Sequence, residues 1–430
     1  GRRAHREAQA KGIAVSQFRT LSTECHSENP DLSGDEESWV EQPPNLTRFF
    51  ASLRTTRQGM CYRLAISNWR GNTMLRPSAS KATPEELEGF YRDLGTYSTA
   101  ALWTRQEQAL VNEPKSKALP YLWRWKELRP QAMRAAELVG TEDAERRVLM
   151  LLNPGLEGRI ATTNSLFSGL QIVMPGESAR AHRHTPAALR FIIESDGGHT
   201  TVEGDKIPML PGDLVLTPNW TWHDHGNTTG NPIIWLDGLD LPLTHLLEAV
   251  FFEPYPEDIQ PITLPTDSSL TAYGSGALRP AWEKPQSTYS PLMHYPWDKT
   301  WSALQGLAPV ADGSPYDGVV LEYTNPNSGG PVMPTMACHA QLLRPSEATK
   351  AHRHTASVIY HVVEGEGYSI VDGQRLDWSE KDVFCVPGWA FHEHVNSSAV
   401  NPAVLFSFTD APVLQALSLL REQPHPQEHQ

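Results

Sequence analysis

The residues most able to do chemistry form a duplicated motif. Ala181-His182-Arg183-His184-Thr185 recurs as Ala351-His352-Arg353-His354-Thr355. Each copy is followed by a second histidine pair, in Pro218-Asn219-Trp220-Thr221-Trp222-His223-Asp224-His225 and in Pro387-Gly388-Trp389-Ala390-Phe391-His392-Glu393-His394. Residues i and i+2 of a β-strand face the same side, so His182 and His184 project together. Inside a small barrel a third imidazole from a distant strand would complete a face, and His223 is the natural one. Three neutral imidazoles suit a first-row divalent metal such as iron, copper or zinc. Three ligands on one face of an octahedron leave room for a carboxylate, an adjacent hydroxyl and dioxygen. A lone His-x-His in a strand is more often structural. The third histidine and the repetition of the whole set favour metal binding.

Such a site needs strands to carry it, and the chain supplies their pattern. From about Arg147 onward, short alternating apolar segments such as 189–194, 200–203 and 213–217 are separated by Gly, Pro, Asn and Asp. That texture predicts a β-sandwich or barrel, and the internal repeat predicts that the β domain is duplicated. Residues 146–255 are expected to form the first copy and 316–430 the second. The proline- and serine-rich stretch 256–315 is expected to connect them. Residues 76–145 carry helical signals. Thr83-Pro84-Glu85-Glu86 reads as a capping box with proline at the first helical position, and a second helix is expected from Pro130 to Val139, stopping at Gly140. Asp410-Ala411-Pro412 with Val413, Leu414, Leu417 and Leu420 predicts a capped amphipathic helix packing back on the body.

Composition narrows the function classes. A chain of 430 residues is long enough for two domains. A net charge of -14 argues against nucleic acid or an acidic membrane surface as partner. Cys25, Cys61, Cys338 and Cys385 form no CxxC pair, which fits a reducing, cytoplasmic setting without disulfides. No segment approaches the roughly 20 apolar residues of a membrane span. Residues 1–75 show no sustained period and are expected to be a disordered extension. Its basic start at Arg2, Arg3, Arg6 and Lys11 leaves a targeting remnant as the alternative.

The spacing Gly176-x5-His182-x-His184, then Gly212-x5-Pro218-x4-His223, resembles the cupin superfamily. Many cupins add a glutamate ligand shortly after the second histidine; this chain has Ala188 and Val358 there, which leaves three-histidine sites. Within the cupins, residues 120–125 (PYLWRW), 145–156 (ERRVLMLLNPGL), 181–191 (AHRHTPAALRF), 217–227 (TPNWTWHDHGN), 235–241 (WLDGLDL) and 323–333 (YTNPNSGGPVM) resemble the gentisate 1,2-dioxygenase family, with its salicylate and 1-hydroxy-2-naphthoate relatives. The resemblance implies a mainly β bicupin: two double-stranded β-helix (jelly-roll) barrels with flanking N-terminal and C-terminal helices. It further implies Fe(II), dioxygen, an aromatic acid cleaved between its carboxyl-bearing and hydroxyl-bearing carbons, and a homotetramer. Gentisate would give maleylpyruvate.

By match of motif, Arg146 and Arg190 would anchor the substrate carboxylate, with Arg147 an equal rival to Arg146. His225 would be a hydrogen-bond partner to substrate or oxygen. Asp237 would accept from a substrate hydroxyl or hold a neighbouring arginine. Gln171, Phe167 and Gly169 would line the ring pocket. The second copy keeps His352, His354 and His392 but has Tyr360 at the place of Arg190 and Ser407 at that of Asp237. It is therefore expected to bind metal and to turn over an aromatic acid poorly or not at all. A zinc or copper cupin enzyme and a non-catalytic metal-binding bicupin are the competing readings.

Overall fold

The computed structural model describes residues 81–276, 278–283 and 287–430. The expected extension over residues 1–75 lies outside them, as do Cys25 and Cys61. The first helix, Pro84–Thr96, starts on its proline and carries Glu85 and Glu86 in its first turn, where their charge complements the helix dipole.

The second helix departs from expectation. It spans Trp125–Leu138 and holds Pro130 inside it. Its start is fixed from far away in sequence: the Trp125 amide donates to the carboxylate of buried Asp382 at 2.7 Å. A carboxylate there satisfies a free amide at the positive end of the helix. Local capping signals cannot reveal such a partner.

Two β-barrels follow, each made of a six-stranded and a five-stranded antiparallel sheet. In the first barrel, Arg147–Met150, Phe167–Val173, Ala188–Glu194, Leu214–Thr217 and Ile233–Leu239 join the larger sheet. Ser178–His184, Gly198–Val202, Asp205–Met209, His223–Gly226 and Phe252–Pro254 form the smaller one. The second barrel repeats this order. Each larger sheet is closed by a strand from the segment that precedes the other barrel. Tyr121–Trp123 pairs with Val383–Val386 of the second barrel, and His294–Tyr295 pairs with Leu214–Thr217 of the first.

Period-two alternation sorts the larger sheets into two faces. Leu189, Phe191 and Ile193 join Leu236 in a core shared with Cys338, Ala340, Phe406 and Phe408 of the second barrel. The rings of Phe191 and Phe406 stack with centroids 4.1 Å apart. Gly238 lies against this seam: a Cβ there would meet Phe408 Cζ at 2.7 Å. The opposite face looks into the first barrel, where Val173, Ile192, Val202, Ile207, Val215 and Trp235 cluster.

The stretch 256–315 is more ordered than its composition suggests. It contains the helices Ser268–Tyr273 and Trp297–Leu307 as well as the strand His294–Tyr295. His294 lies between two carboxylates, 3.1 Å from Asp213 and 2.9 Å from Asp267. At the C-terminus the helix is shorter than expected, Ala411–Ala416, and Asp410 makes no side-chain cap. Instead Asp410 accepts from the Ser357 amide at 2.8 Å and from the Ser165 hydroxyl. Leu417 and Leu419 are exposed, and the chain continues into the strand Glu422–Pro424. Among the described residues no helix is long and apolar enough to cross a membrane, and Cys338 and Cys385 are free and buried.

Candidate active site

His182 and His184 leave the strand Ser178–His184 on one side, and His223 opens the neighbouring strand His223–Gly226. Cross-strand pairing sets His182 directly opposite His223. One ligand nitrogen from each of the three lies within 4.8 Å of the others. Backbone carbonyls fix the rings: Nδ1 of His182 donates to Arg180 O at 2.8 Å, that of His184 to Pro186 O at 2.7 Å, and that of His223 to Thr221 O at 3.0 Å. With Nδ1–H so engaged, each Nε2 turns its lone pair toward the lumen, the arrangement that metal-ligating histidines use. Burial, reinforced by the charge of Arg146, pushes His182 down to about 2. Burial also lowers His184 to about 4 and holds His223 well below the usual histidine range. All three imidazoles are neutral at pH 7, as ligands must be. The donor set fits a divalent metal, and Ala188 leaves no carboxylate ligand beside it.

Two arginines converge on this face. Arg146 Nη1 donates to Nε2 of His182 at 2.5 Å. Its neighbour Arg147 points away: it ion-pairs with Glu177 and donates to Ala136 O and Val139 O in the last turn of the second helix. The geometry thus separates the two rivals, with Arg146 at the triad and Arg147 holding a helix end. Arg190 is buried in the barrel, bonded to the Thr217 hydroxyl, with its Nε 3.7 Å from Asp237 Oδ1. Trp235 Nε1 donates to the same Oδ1 at 2.8 Å. His225 is buried with its ring 5.0 Å from that of Trp235 and 5.9 Å from that of His223. Gln171 pairs across the sheet with Trp235, and Gly169 with Asp237, so Phe167, Gly169 and Gln171 share the face that carries Arg190 and Asp237.

Cupin domain models match residues 169–238 and 340–409. The chain is 42% identical to a 5-aminosalicylate 1,2-dioxygenase of Comamonas sp, over 80% of this chain and 92% of that protein. It is 40% identical to gentisate 1,2 dioxygenase 1 of Aquipseudomonas alcaligenes, over 79% and 97%. The chain belongs to the gentisate 1,2-dioxygenase family. A crystal structure of salicylate 1,2-dioxygenase from Pseudoaminobacter salicylatoxidans with gentisate is similar at a TM-score of 0.76 and 33% identity, over 83% of this chain and 97% of that one. The protein is accordingly an oxidoreductase of the ring-cleaving dioxygenase type, built as a bicupin.

Several residues of this family member were not singled out from the sequence. Phe252 stacks on His182, with centroids 5.4 Å apart and planes 24° apart, and the Arg146 guanidinium lies over the Phe252 ring, 5.4 Å from its centroid. Arg183, between the two ligand-bearing positions, points to the outside of the barrel. Its guanidinium lies 4.4 Å from the Trp220 ring and 4.3 Å from the Trp222 ring, and donates to Glu253 at 2.8 and 2.6 Å. One side chain therefore ties together the strand of His182 and His184, the turn before His223, and the strand of Phe252. The signal was visible: Arg183 and Trp220 recur as Arg353 and Trp389, which stack in the same way at 4.3 Å.

In the second barrel His352, His354 and His392 also converge within 4.8 Å. Centroid separations of 5.5, 4.3 and 4.9 Å nearly match the 5.5, 4.2 and 4.8 Å of the first triad. Strand register places Tyr360 opposite Ser407 as it places Arg190 opposite Asp237.

Proposed function

We propose that the first barrel is a gentisate 1,2-dioxygenase centre, which uses Fe(II) and dioxygen to open gentisate (2,5-dihydroxybenzoate) to maleylpyruvate, with both oxygen atoms entering the product. His182, His184 and His223 would hold the iron. When bound, Fe(II) supplies the redox-active centre at which the aromatic acid and dioxygen meet.

One observation carries this reading. Gln171 Nε2, Arg190 Nε, His223 Nε2 and His225 Nδ1 are all buried in the first barrel without a hydrogen-bond partner in the protein. Leaving such a group unsatisfied costs about 1–3 kcal/mol each, so a cluster of them marks a place shaped for polar ligand atoms. Their chemistry suits an acid with an adjacent hydroxyl. Arg146 and Arg190 offer the guanidinium donors that a carboxylate needs in a protein of charge -14. Asp237 lies 3.7 Å from Arg190 Nε, which supports the second of its two expected roles, holding that arginine. His225, kept neutral by burial, can donate or accept one hydrogen bond toward substrate or oxygen. Gln171 offers its amide to a ring substituent.

The 5-aminosalicylate and gentisate relatives support an electron-donating group para to the reacting hydroxyl, since both of those acids carry one. Salicylate and 1-hydroxy-2-naphthoate lack it and are the alternative substrates. Anaerobic loading with Fe(II), Zn(II) or Cu(II), followed by oxygen uptake on each acid, tests the proposal. The expected result is uptake only with Fe(II), fastest with gentisate, at one dioxygen per ring opened. Faster turnover of salicylate or 1-hydroxy-2-naphthoate overturns the substrate, and activity with zinc or copper alone overturns the metal. The family resemblance also implies a homotetramer, which sedimentation velocity reads directly.

A further inference from the structure

The second triad sits in a different electrostatic setting from the first. A cavity of about 240 Å³ above it is lined by Asp317, His339, Gln341, His354, Tyr360 and Glu422 among others, and among the described residues none of its lining side chains is lysine or arginine. Position by position, the balance of charge shifts toward the negative. Where Arg190 faces Asp237, the second barrel pairs Tyr360 with Ser407. Where Gly169 stands opposite Asp237, His339 carries an imidazole opposite Ser407. Where Phe252 pairs with His184, the acidic Glu422 pairs with His354. The segment entering the strand brings Arg146 to the first triad, whereas in the second it brings Tyr316, with its ring 4.8 Å from that of His352, and Asp317. Two guanidiniums and the Asp237 carboxylate have given way to Asp317, the exposed Glu422 at the rim, and an extra imidazole.

The convergence of the three rings has nevertheless been kept, with two of the three carbonyl bonds that orient them, while Nδ1 of His352 is buried without a partner in the protein. Nδ1 of His354 donates to Ala356 O at 2.8 Å and that of His392 to Ala390 O at 3.1 Å. Nε2 of His392 is buried with no partner in the protein. Nothing in an anion site needs this arrangement, while a cation needs all of it: neutral nitrogen donors first, carboxylates to offset its charge beyond them.

We infer that the second barrel retains a divalent first-row metal ion with its water ligands and excludes aromatic carboxylates, so that the two copies have divided metal retention from acid recognition. The acid meets Asp317 where the first barrel offers Arg146 and Tyr360 where it offers Arg190, and His339 stands in the place of Gly169. The site retains charge and refuses substrate.

The test uses the full chain, stripped of metal and loaded anaerobically with Co(II), whose visible absorption reports its ligands. After desalting, wild type is expected to hold two Co(II) per chain, and His182→Ala and His352→Ala one each. Gentisate should perturb the spectrum of His352→Ala protein and leave that of His182→Ala protein unchanged. Asp317→Asn, a milder change that spares every histidine, should weaken the second site about tenfold and leave the first unaltered. Two results overturn the inference: a wild-type stoichiometry of one that His352→Ala does not lower, or a saturable gentisate response in His182→Ala protein. An unchanged second-site affinity in Asp317→Asn overturns its electrostatic basis. If gentisate perturbs neither site while two metals remain, the substrate reading of the first barrel fails and the metal assignment of the second stands.

Discussion

Arg190 and Asp237 stand directly across a strand pair, with Nε and Oδ1 3.7 Å apart inside the first barrel. Burial pushes Arg190 down to about 10 and Asp237 up to about 6, and each partly restores the charge of the other. The pair is ionised at pH 7, with the guanidinium held in place and one edge left free for an anion. Arg190→Met should lower kcat/KM by about 10- to 100-fold, the loss of one or two charge-assisted hydrogen bonds. Asp237→Asn should cost less, because its side-chain oxygen still accepts from Trp235. Steady-state kinetics on the preferred acid checks both, and equal losses would contradict this division of roles.

The stack of Arg183 between Trp220 and Trp222 makes a prediction about metal rather than substrate. Arg183→Lys keeps the charge but loses the planar stack and the paired bonds to Glu253. Metal affinity at the first site should fall about 10- to 100-fold. The unfolding midpoint of the metal-free protein should move only modestly, since a half-buried cation–π contact contributes about 1 kcal/mol and lysine retains part of it. Metal titration and denaturation of the apo form separate the two effects. A drop in apo stability with unchanged metal affinity would make Arg183 a purely structural clip.

His294 ties the segment before the second barrel to the wall of the first. Burial alone would lower its affinity for a proton, but the hydrogen bonds and charges of Asp213 and Asp267 win and raise it to about 9. A raised folded-state value means that its contribution is complete below about pH 6.5 and disappears as pH rises through 9. His294→Gln should therefore lose on the order of 3 kcal/mol at pH 6 and almost nothing at pH 10. Urea unfolding of both proteins at the two pH values provides the check.

Gly238 predicts a stability change with little effect on chemistry. A methyl group there would press on Phe408 at 2.7 Å and Leu189 at 2.9 Å, both fully enclosed in the shared core. Gly238→Ala should destabilise the fold by about 1–3 kcal/mol. Turnover per folded molecule should stay near wild type, because the residue faces the seam and not the lumen.

The triads, the duplication and the mainly β architecture were legible because period-two alternation and a long repeat survive without any three-dimensional information. What the sequence withheld depends on partners distant along the chain. The start of the Trp125–Leu138 helix is set by Asp382, and Pro130 therefore misled as a boundary marker. Strands of two or three residues, such as His294–Tyr295 and Tyr121–Trp123, are too short to show a period. Arg146 and Arg147 are adjacent in sequence and identical in type, so only their opposite directions distinguish them. Asp317 escaped notice because the strand that follows it begins two residues later, a spacing that breaks the repeat with Arg146 and Arg147.

The reciprocal closure of the two larger sheets limits how this chain can be divided. A fragment starting at the second barrel would lack Tyr121–Trp123, and its Val383–Val386 edge would be left bare. A fragment ending at Pro254 would lack His294–Tyr295 and leave Leu214–Thr217 uncovered. Bare apolar edges recruit foreign strands, so dissection of the gene will yield insoluble halves rather than two smaller working proteins.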